Sequence, residues 1–349
     1  MQKPIRLSFG DTVALVNPAG MPPERFRHYL PLMEEYLRNE GFKTKTYYAP
    51  ESAGAEELAM MFTMGWTDPD VMAVFPVCGN SLIFEVVKYL DINALRSHPV
   101  LVAGSSMLSV LSTWITQRAE IVTFFGTHIP FLHTRSPQRE NEFTIQSFWN
   151  MFMWKTGRTK RIATVHERHH FFRINPEAET ALITNIYNRS DLITDPRRRD
   201  VSFVSNHKGK ISGKTACITL GALLEMVRQN MLLPLDGHVL FVETMDWRLH
   251  EVKEVMKEVL SHPSLQGLRA IFISALTERT DRTVKLFEEL KDRRLILELC
   301  EYVSTMVNIP TIYGFPLGHC AYKLNLPQEV ECEVDLEKGT LLLKERPVT

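Results

Sequence analysis

The sequence predicts an α/β protein with a parallel-sheet amino-terminal domain and a second unit of strands and helices closed by a hairpin, and three observations carry that prediction. A short apolar run, a turn and a helical periodicity follow one another three times in the first third of the chain. The same alternation returns after residue 209, and the tail then changes to period two. The length of 349 residues suits two domains of roughly 150 residues rather than one.

The elements justify themselves in order. Thr12 to Val16 is apolar and β-branched, Asn17-Pro18-Ala19-Gly20 is a turn, and Phe26, Leu30, Met33 and Leu37 recur at helical spacing between Arg25 and Asn39. Val71 to Val77 reads as a buried strand, Cys78-Gly79-Asn80 as a tight loop and Ser81 to Leu90 as a helical stretch. Val100 to Ala103, Gly104-Ser105-Ser106 and an apolar helix from Met107 to about Thr116 repeat the pattern. Such alternation implies a parallel sheet covered on both faces, with its ligand crevice at the carboxyl ends of the strands. The group Met60, Met61, Met64 and Phe62 reads as core or cleft wall.

From Phe143 to Asn206 the character changes, with basic stretches at Arg158 to Arg161 and Arg197 to Arg199, which predicts a connector with an inserted surface hairpin. The second unit has strand candidates at Lys214 to Thr219, His238 to Val242, Ala270 to Ile273 and Thr311 to Gly314. Helices are expected around Ala222 to Asn230, Leu249 to Leu260 and Asp292 to Met306. Glu329 to Val334 and Gly339 to Leu343 read as a closing hairpin with Lys338-Gly339 in its turn. The expected boundaries are therefore 1–150 for the first domain, 151–208 for the connector and 209–349 for the second domain.

Composition excludes several classes of function. Lys and Arg number 40 against 41 Asp and Glu, so there is no cationic excess to hold a nucleic-acid backbone. No run approaches the roughly 18 apolar residues of a membrane span, and the start of the chain lacks a secretory h-region, so a cytoplasmic protein is expected. Cys78, Cys217, Cys300, Cys320 and Cys332 are scattered without a C-x-x-C pair, which predicts reduced thiols and no zinc ribbon. His166, His169 and His170 have metal-like spacing, but no carboxylate or cysteine motif completes a site, and a solvated connector is the better account.

Three loops carry the chemistry. A serine on a sharp turn between a buried strand and an apolar helix presents its hydroxyl at the top of a sheet, and in Gly104-Ser105-Ser106-Met107 that serine is Ser106. Taken alone, Gly-Ser-Ser at a strand end is more commonly a turn and helix cap. A serine nucleophile needs a base, and His319 closes the turn Gly314-Phe315-Pro316-Leu317-Gly318-His319 after a strand. Glu243 ends the run Val239 to Val242, where a carboxylate can orient an imidazole or cap the next helix. Each has an ordinary structural alternative, yet all three fall at strand-end loops.

Together these residues resemble the serine LD-carboxypeptidase family, which includes murein tetrapeptide carboxypeptidases and microcin C self-immunity peptidases. Gly10 to Gly20 resembles the family's opening strand and loop, Val71 to Asn80 its glycine loop, and Val102 to Leu111 its nucleophile elbow. Phe124-Phe125-Gly126, Gly209 to Leu224, Leu240 to Thr244 and Ile309 to His319 resemble later family segments in the same order. The resemblance implies a flavodoxin-like first domain, a β-rich α/β carboxyl-terminal domain, a cleft between them, often a homodimer, and a triad of Ser106 as nucleophile, His319 as base then acid and Glu243 as its orienter. Backbone N–H groups of Met107 and of Gly79 or Asn80 would hold the oxyanion. The substrate would be a small peptide of murein type or an aminoacyl-nucleotide conjugate, with no metal or cofactor required.

Departures from the family pattern are local. The usual Gly-Tyr-Ser-Asp elbow is Gly104-Ser105-Ser106-Met107, the glycine loop has Asn80 where glycine is common, and Thr244 replaces a frequent aspartate after Glu243. An Asn amide can donate to an oxyanion, although a side chain there can also crowd the approach. The competing expectation is a catalytically impaired homologue that binds a peptide or nucleotide conjugate without turnover.

Overall fold

The computed structural model describes residues 1–20, 23–127, 142–154, 172–175, 179–183, 207–279, 284–286, 292–319 and 323–349. The chain divides into two compact units, Met1–Val165 with Pro347–Thr349, and His166–Arg346. His166, His169, His170, Cys320 and the arginine stretches 158–161 and 197–199 lie outside the described residues.

In the first unit β1 (Thr12–Val16) is buried at every position, as a strand covered on both faces must be. Helix α1 (Pro23–Asn39) starts with proline, whose missing N–H costs nothing at the first helical position, and carries Glu24 near its amino end and Arg38 near its carboxyl end. Strand β2 (Lys43–Tyr47), helix α2 (Ala55–Thr67) and strand β3 (Val71–Pro76) follow. Next come α3 (Ile83–Val86), α4 (Ile92–Ser97), β4 (Leu101–Val102), α5 (Leu108–Ala119), β5 (Phe124–Phe125) and α6 (Glu142–Met153). Asp91 caps α4 by accepting from the Ala94 N–H at 3.0 Å.

The sheet order is β2-β1-β3-β4, all parallel, and a parallel bridge from Ala103 to Phe124 continues it toward β5. This is the flavodoxin-like order, and its reversal lies between β1 and β3, where residues 17–20 and 78–80 leave the sheet. Its core is aromatic. Phe148 and Phe152 of α6 lie 4.4 Å apart between ring centres, Phe152 meets Phe124 at 4.8 Å, and Trp149 stacks on Phe42 at 5.0 Å while donating to the Tyr36 hydroxyl at 2.7 Å. Of the methionine group on α2 only its neighbour Phe62 is core. Met60 and Met64 are exposed, because the buried stripe of α2 runs through Leu58, Ala59, Phe62, Gly65 and Trp66 and leaves positions 60 and 64 on the far side.

The second unit comprises β6 (Phe172–Asn175), β7 (Thr180–Ile183), β8 (Lys210–Thr219), α7 (Leu220–Arg228), β9 (His238–Glu243), α8 (Leu249–Leu260), β10 (Ala270–Ser274), β11 (Thr277–Arg279), β12 (Val284–Leu286), α9 (Arg293–Val307), β13 (Thr311–Phe315), β14 (Leu326–Pro327), β15 (Glu331–Asp335) and β16 (Thr340–Leu343). Eight strands form one mixed sheet in the order β13-β10-β9-β8-β15-β16-β7-β6. The first four are parallel and the rest antiparallel.

Strand β8 is the seam between the two halves. Lys210 to Lys214 pair antiparallel with β15, and Lys214 to Thr219 pair parallel with β9. Phe241, Phe272 and Phe315 stack across three neighbouring strands with centroids 4.7 to 5.6 Å apart. The predicted tail hairpin is present, and Asp335 Oδ1 accepts from the N–H groups of Glu337 and Lys338 while Gly339 takes φ +62°. No helix among the described residues is long and apolar enough to cross a membrane.

Candidate active site

The nucleophile candidate sits on a strained turn. Ser106 has φ +54°, a conformation that non-glycine residues adopt only when the surroundings dictate it. The chain leaves β4, turns through Gly104-Ser105-Ser106-Met107 and enters α5 at once. A Cβ on Gly104 would lie 2.6 Å from the Leu108 carbonyl oxygen, so only glycine lets the turn close this tightly. Bonds from Leu108 N to Ser105 O at 3.1 Å and from Ser109 N to Ser106 O at 3.0 Å wind the first turn of the helix. The Ser109 hydroxyl also donates to the Ser106 carbonyl, at 2.6 Å.

The glycine loop comes down on the same helix start. A Cβ on Gly79 would meet Leu108 Cγ at 2.7 Å and Leu108 N at 3.2 Å, so Gly79 and the Ser106 turn are neighbours in the first unit. Asn80 behaves differently from the expectation that its side chain could serve an oxyanion. Its Nδ2 donates to the Ala19 carbonyl at 2.7 Å and its Oδ1 accepts from the Leu82 N–H at 2.8 Å. The amide ties the loop after β1 to the loop after β3, and what remains for a ligand at this position is the backbone N–H. Among the described residues, none accepts a hydrogen bond from the backbone N–H of Gly79, Asn80 or Met107.

Among the described cysteines of the second unit, Cys217, Cys300 and Cys332 are buried, and burial pushes the thiols of Cys300 and Cys332 up to about 12 and that of Cys217 well above its ordinary value. Cys78, in the first unit, is half-buried.

The second unit brings Glu243 and His319 together. Glu243 ends β9 with 1% of its side chain exposed, and its Oε1 accepts from His319 Nδ1 at 3.0 Å and from the His319 backbone N–H at 3.4 Å. Thr219, its register partner on β8, ends the neighbouring strand beside the same carboxylate. Burial by itself pushes the Glu243 carboxyl up. The charge and ring N–H of His319, the Thr219 hydroxyl and the His319 backbone N–H outweigh it and hold the group below its ordinary range. An ionised carboxylate facing Nδ1 requires a ring proton there, and among the described residues nothing bonds Nε2. The Thr277 hydroxyl donates to the His319 carbonyl at 3.1 Å and fixes the backbone.

Gly318 makes that contact possible. It has φ +76°, and a Cβ built on it would fall 1.7 Å from Glu243 Cγ, so the carboxylate arm crosses the space that any other residue would fill. Sequence reasoning found Glu243 and His319 from their strand-end positions but assigned nothing to Gly318 or Thr219. The available signal was Thr219 itself, which ends the strand adjacent to β9. Among the described residues a second His–Glu pair of this unit lies at the opposite end of β9. His238 Nε2 faces Glu329 Oε1 at 2.6 Å, its Nδ1 faces the Asp236 carbonyl at 3.0 Å, and Lys214 Nζ reaches Glu329 Oε2 at 3.3 Å. Among the described residues no group of three His, Cys, Asp or Glu side chains is arranged to hold a metal ion.

Comparison with known proteins places both halves in one family. A model described as LD-carboxypeptidase N-terminal domain matches residues 13–126, and one described as LD-carboxypeptidase C-terminal domain matches residues 212–334, together well over half of the chain. A Bacillus subtilis protein named "Probable murein peptide carboxypeptidase" is 21% identical over 355 residues, covering 98% of this chain and 94% of its own. Microcin C7 self-immunity protein MccF of Escherichia coli is 20% identical over 349 residues, covering 97% and 95%. The structure of MccF in complex with aspartyl sulfamoyl adenosine superposes with TM-score 0.73 at 18% identity over 100% of both chains. Muramoyltetrapeptide carboxypeptidase from Oxalobacter formigenes gives TM-score 0.69 at 17% identity, over 95% of this chain and 97% of that one. At these identities the structural likeness shows a shared two-domain α/β fold.

Proposed function

Because the chain belongs to the LD-carboxypeptidase family of serine peptidases, we propose that it is a carboxypeptidase-type hydrolase working through Ser106, His319 and Glu243. Ser106 Oγ attacks an amide carbonyl as His319 Nε2 takes its proton. The negative charge gathers on the carbonyl oxygen, and the N–H groups of Met107 and of Gly79 or Asn80 receive it. Collapse expels the amine, which takes the proton back from His319 and leaves an ester on Ser106. Water, deprotonated by the same imidazole, releases the acid and restores the serine. In this reading residues 1–150 supply the nucleophile, 209–349 supply Glu243 and His319, and 151–208 connect them.

The observation that carries the proposal is the imidazole gripped through Nδ1 by a buried carboxylate, with no partner on Nε2 among the described residues. That arrangement suits proton transfer, worth about 10²- to 10⁴-fold in rate. Substrates are proposed as small peptides with an L,D linkage or aminoacyl conjugates of a sulfamoyl nucleoside. The support is the murein peptide activity named for the Bacillus relative and the aspartyl sulfamoyl adenosine bound to MccF. The proposal also has the enzyme acting in the cytoplasm as a homodimer, to be tested by cell fractionation and sedimentation.

The test is hydrolysis of an L,D-tetrapeptide and a panel of aminoacyl-sulfamoyl adenylates by the purified full chain. Wild type should turn over at least one of them, and Ser106→Ala should lose about 10⁴- to 10⁶-fold in kcat. Undiminished hydrolysis by Ser106→Ala overturns the assignment. Binding by calorimetry with no labelling of Ser106 by a fluorophosphonate would instead favour a non-catalytic binding protein.

A further inference from the structure

We infer that Ser109 is a positioning residue that aims an oxyanion donor, an inference that rests on the serine-hydrolase reading above. Ser109 is the second residue of α5, fully buried, and sends two donors to a single acceptor. Its backbone N–H reaches the Ser106 carbonyl at 3.0 Å and its hydroxyl reaches the same oxygen at 2.6 Å. A helix start needs only the first of these.

The consequence follows from peptide geometry. The Ser106 carbonyl and the Met107 N–H belong to one planar trans unit, so the two point in opposite directions. Drawing the carbonyl into the helix with two donors turns the Met107 N–H outward. None of the described residues accepts a hydrogen bond from that N–H. The same clamp opposes relaxation of Ser106 from its φ of +54°, which its side chain disfavours. A Met107 side chain in place of a carboxylate does not alter this, because the donor is main chain.

Ser109 is itself held. Its carbonyl accepts from the Ser112 hydroxyl at 3.1 Å, the Ser112 carbonyl accepts from the Thr123 hydroxyl at 3.0 Å, and Thr123 pairs with Thr116 at 2.6 Å. This buried run of hydroxyls fixes the helix start against the strand edge, so the Ser109 hydroxyl has a rigid base from which to act.

The test measures kcat, KM and the rate of fluorophosphonate labelling of Ser106 in wild type, Ser109→Ala and Ser109→Thr, with thermal melts alongside. Complete loss of one oxyanion donor costs about 10²- to 10³-fold, so a donor left in place but badly aimed should cost roughly tenfold or more in kcat. KM should stay within about twofold, and labelling of Ser109→Ala should slow in step with kcat. Ser109→Thr, which keeps the hydroxyl, should recover most of the rate. Wild-type kcat and labelling in a folded Ser109→Ala protein would overturn the inference, as would equal loss in Ser109→Ala and Ser109→Thr. If Ser109→Ala does not fold, Ser109→Cys, which keeps the size and weakens the donor, takes its place with the same expected ordering. Failure of the wild type to be labelled or to turn over would fell the hydrolase reading and this inference together, whereas the preceding outcomes strike Ser109 alone.

Discussion

Strand β9 carries a histidine–glutamate pair at each end, and the two differ in what the second ring nitrogen meets. At the carboxyl end His319 gives Nδ1 to Glu243 and has no partner on Nε2 among the described residues, with 23% of its side chain exposed. At the amino end His238 faces Glu329 through Nε2 and the Asp236 carbonyl through Nδ1, and only 7% of it is exposed. A carbonyl can only accept, so the His238 ring spends both nitrogens on the fold. The same two residue types, at nearly the same separation, thus make a candidate base in one place and a strut in the other. The accessible lone pair separates the two roles, and the ion pair alone does not.

The largest expected difference comes from removing each imidazole. His319→Ala should lower kcat by about 10⁴-fold with the unfolding midpoint nearly unchanged. His238→Ala should leave turnover of the folded protein within a few-fold and cost about 3 kcal/mol in urea denaturation, the low end for a broken buried pair because Lys214 still faces Glu329. The comparison breaks if the two variants exchange these phenotypes. Glu243→Gln, which replaces an acceptor by an amide that can donate to Nδ1, should cost about 10³-fold in kcat, whereas Glu329→Gln should show its effect in melting temperature.

Gly318→Ala should come next. Its methyl would occupy the path of the Glu243 side chain and its φ of +76° is strained, so kcat should fall by roughly 10²-fold with a modest loss of stability. The smallest effect is on pH dependence. Glu243 is buried and Glu329 partly so, which raises their carboxyls, and both end below the ordinary 4.5 because of their histidine partners, with Thr219 adding to the first and Lys214 to the second. A depressed carboxylate stabilises the fold above its unfolded pKa, and that contribution is lost as pH falls through the folded value. Melting temperature should therefore drop between about pH 5 and pH 3, and Glu329→Gln should flatten part of that slope. An unchanged slope would mean that the amino-terminal pair is not the strut described here.

Much of this was legible in the sequence, for reasons that differ between elements. Strands β1, β3, β9, β10 and β13 are continuous apolar runs because both faces are covered, and such runs announce themselves. Strand β2, Lys-Thr-Lys-Thr-Tyr, is a half-exposed edge of the sheet and carries no apolar run to find. Helix α2 was hidden because its methionines read as one apolar group, although Met60 and Met64 face solvent. The candidates Ser106, Glu243 and His319 were proposed from their places at strand ends. The clasp of Asn80, the crossing of Gly318 by Glu243 and the second donor from Ser109 were not, because each depends on how close two backbones come, and spacing along the chain does not record that.

The seam at β8 bears on how the protein is made. Its outer edge from Lys210 to Lys214 is closed by Glu331 to Asp335, more than a hundred positions later. While a ribosome is still translating that interval, β8 presents a row of unsatisfied amides to its surroundings, and a pairing so remote in sequence is slow to form. Nascent chains stalled before residue 331 should therefore be the species that chaperones hold and that aggregates first.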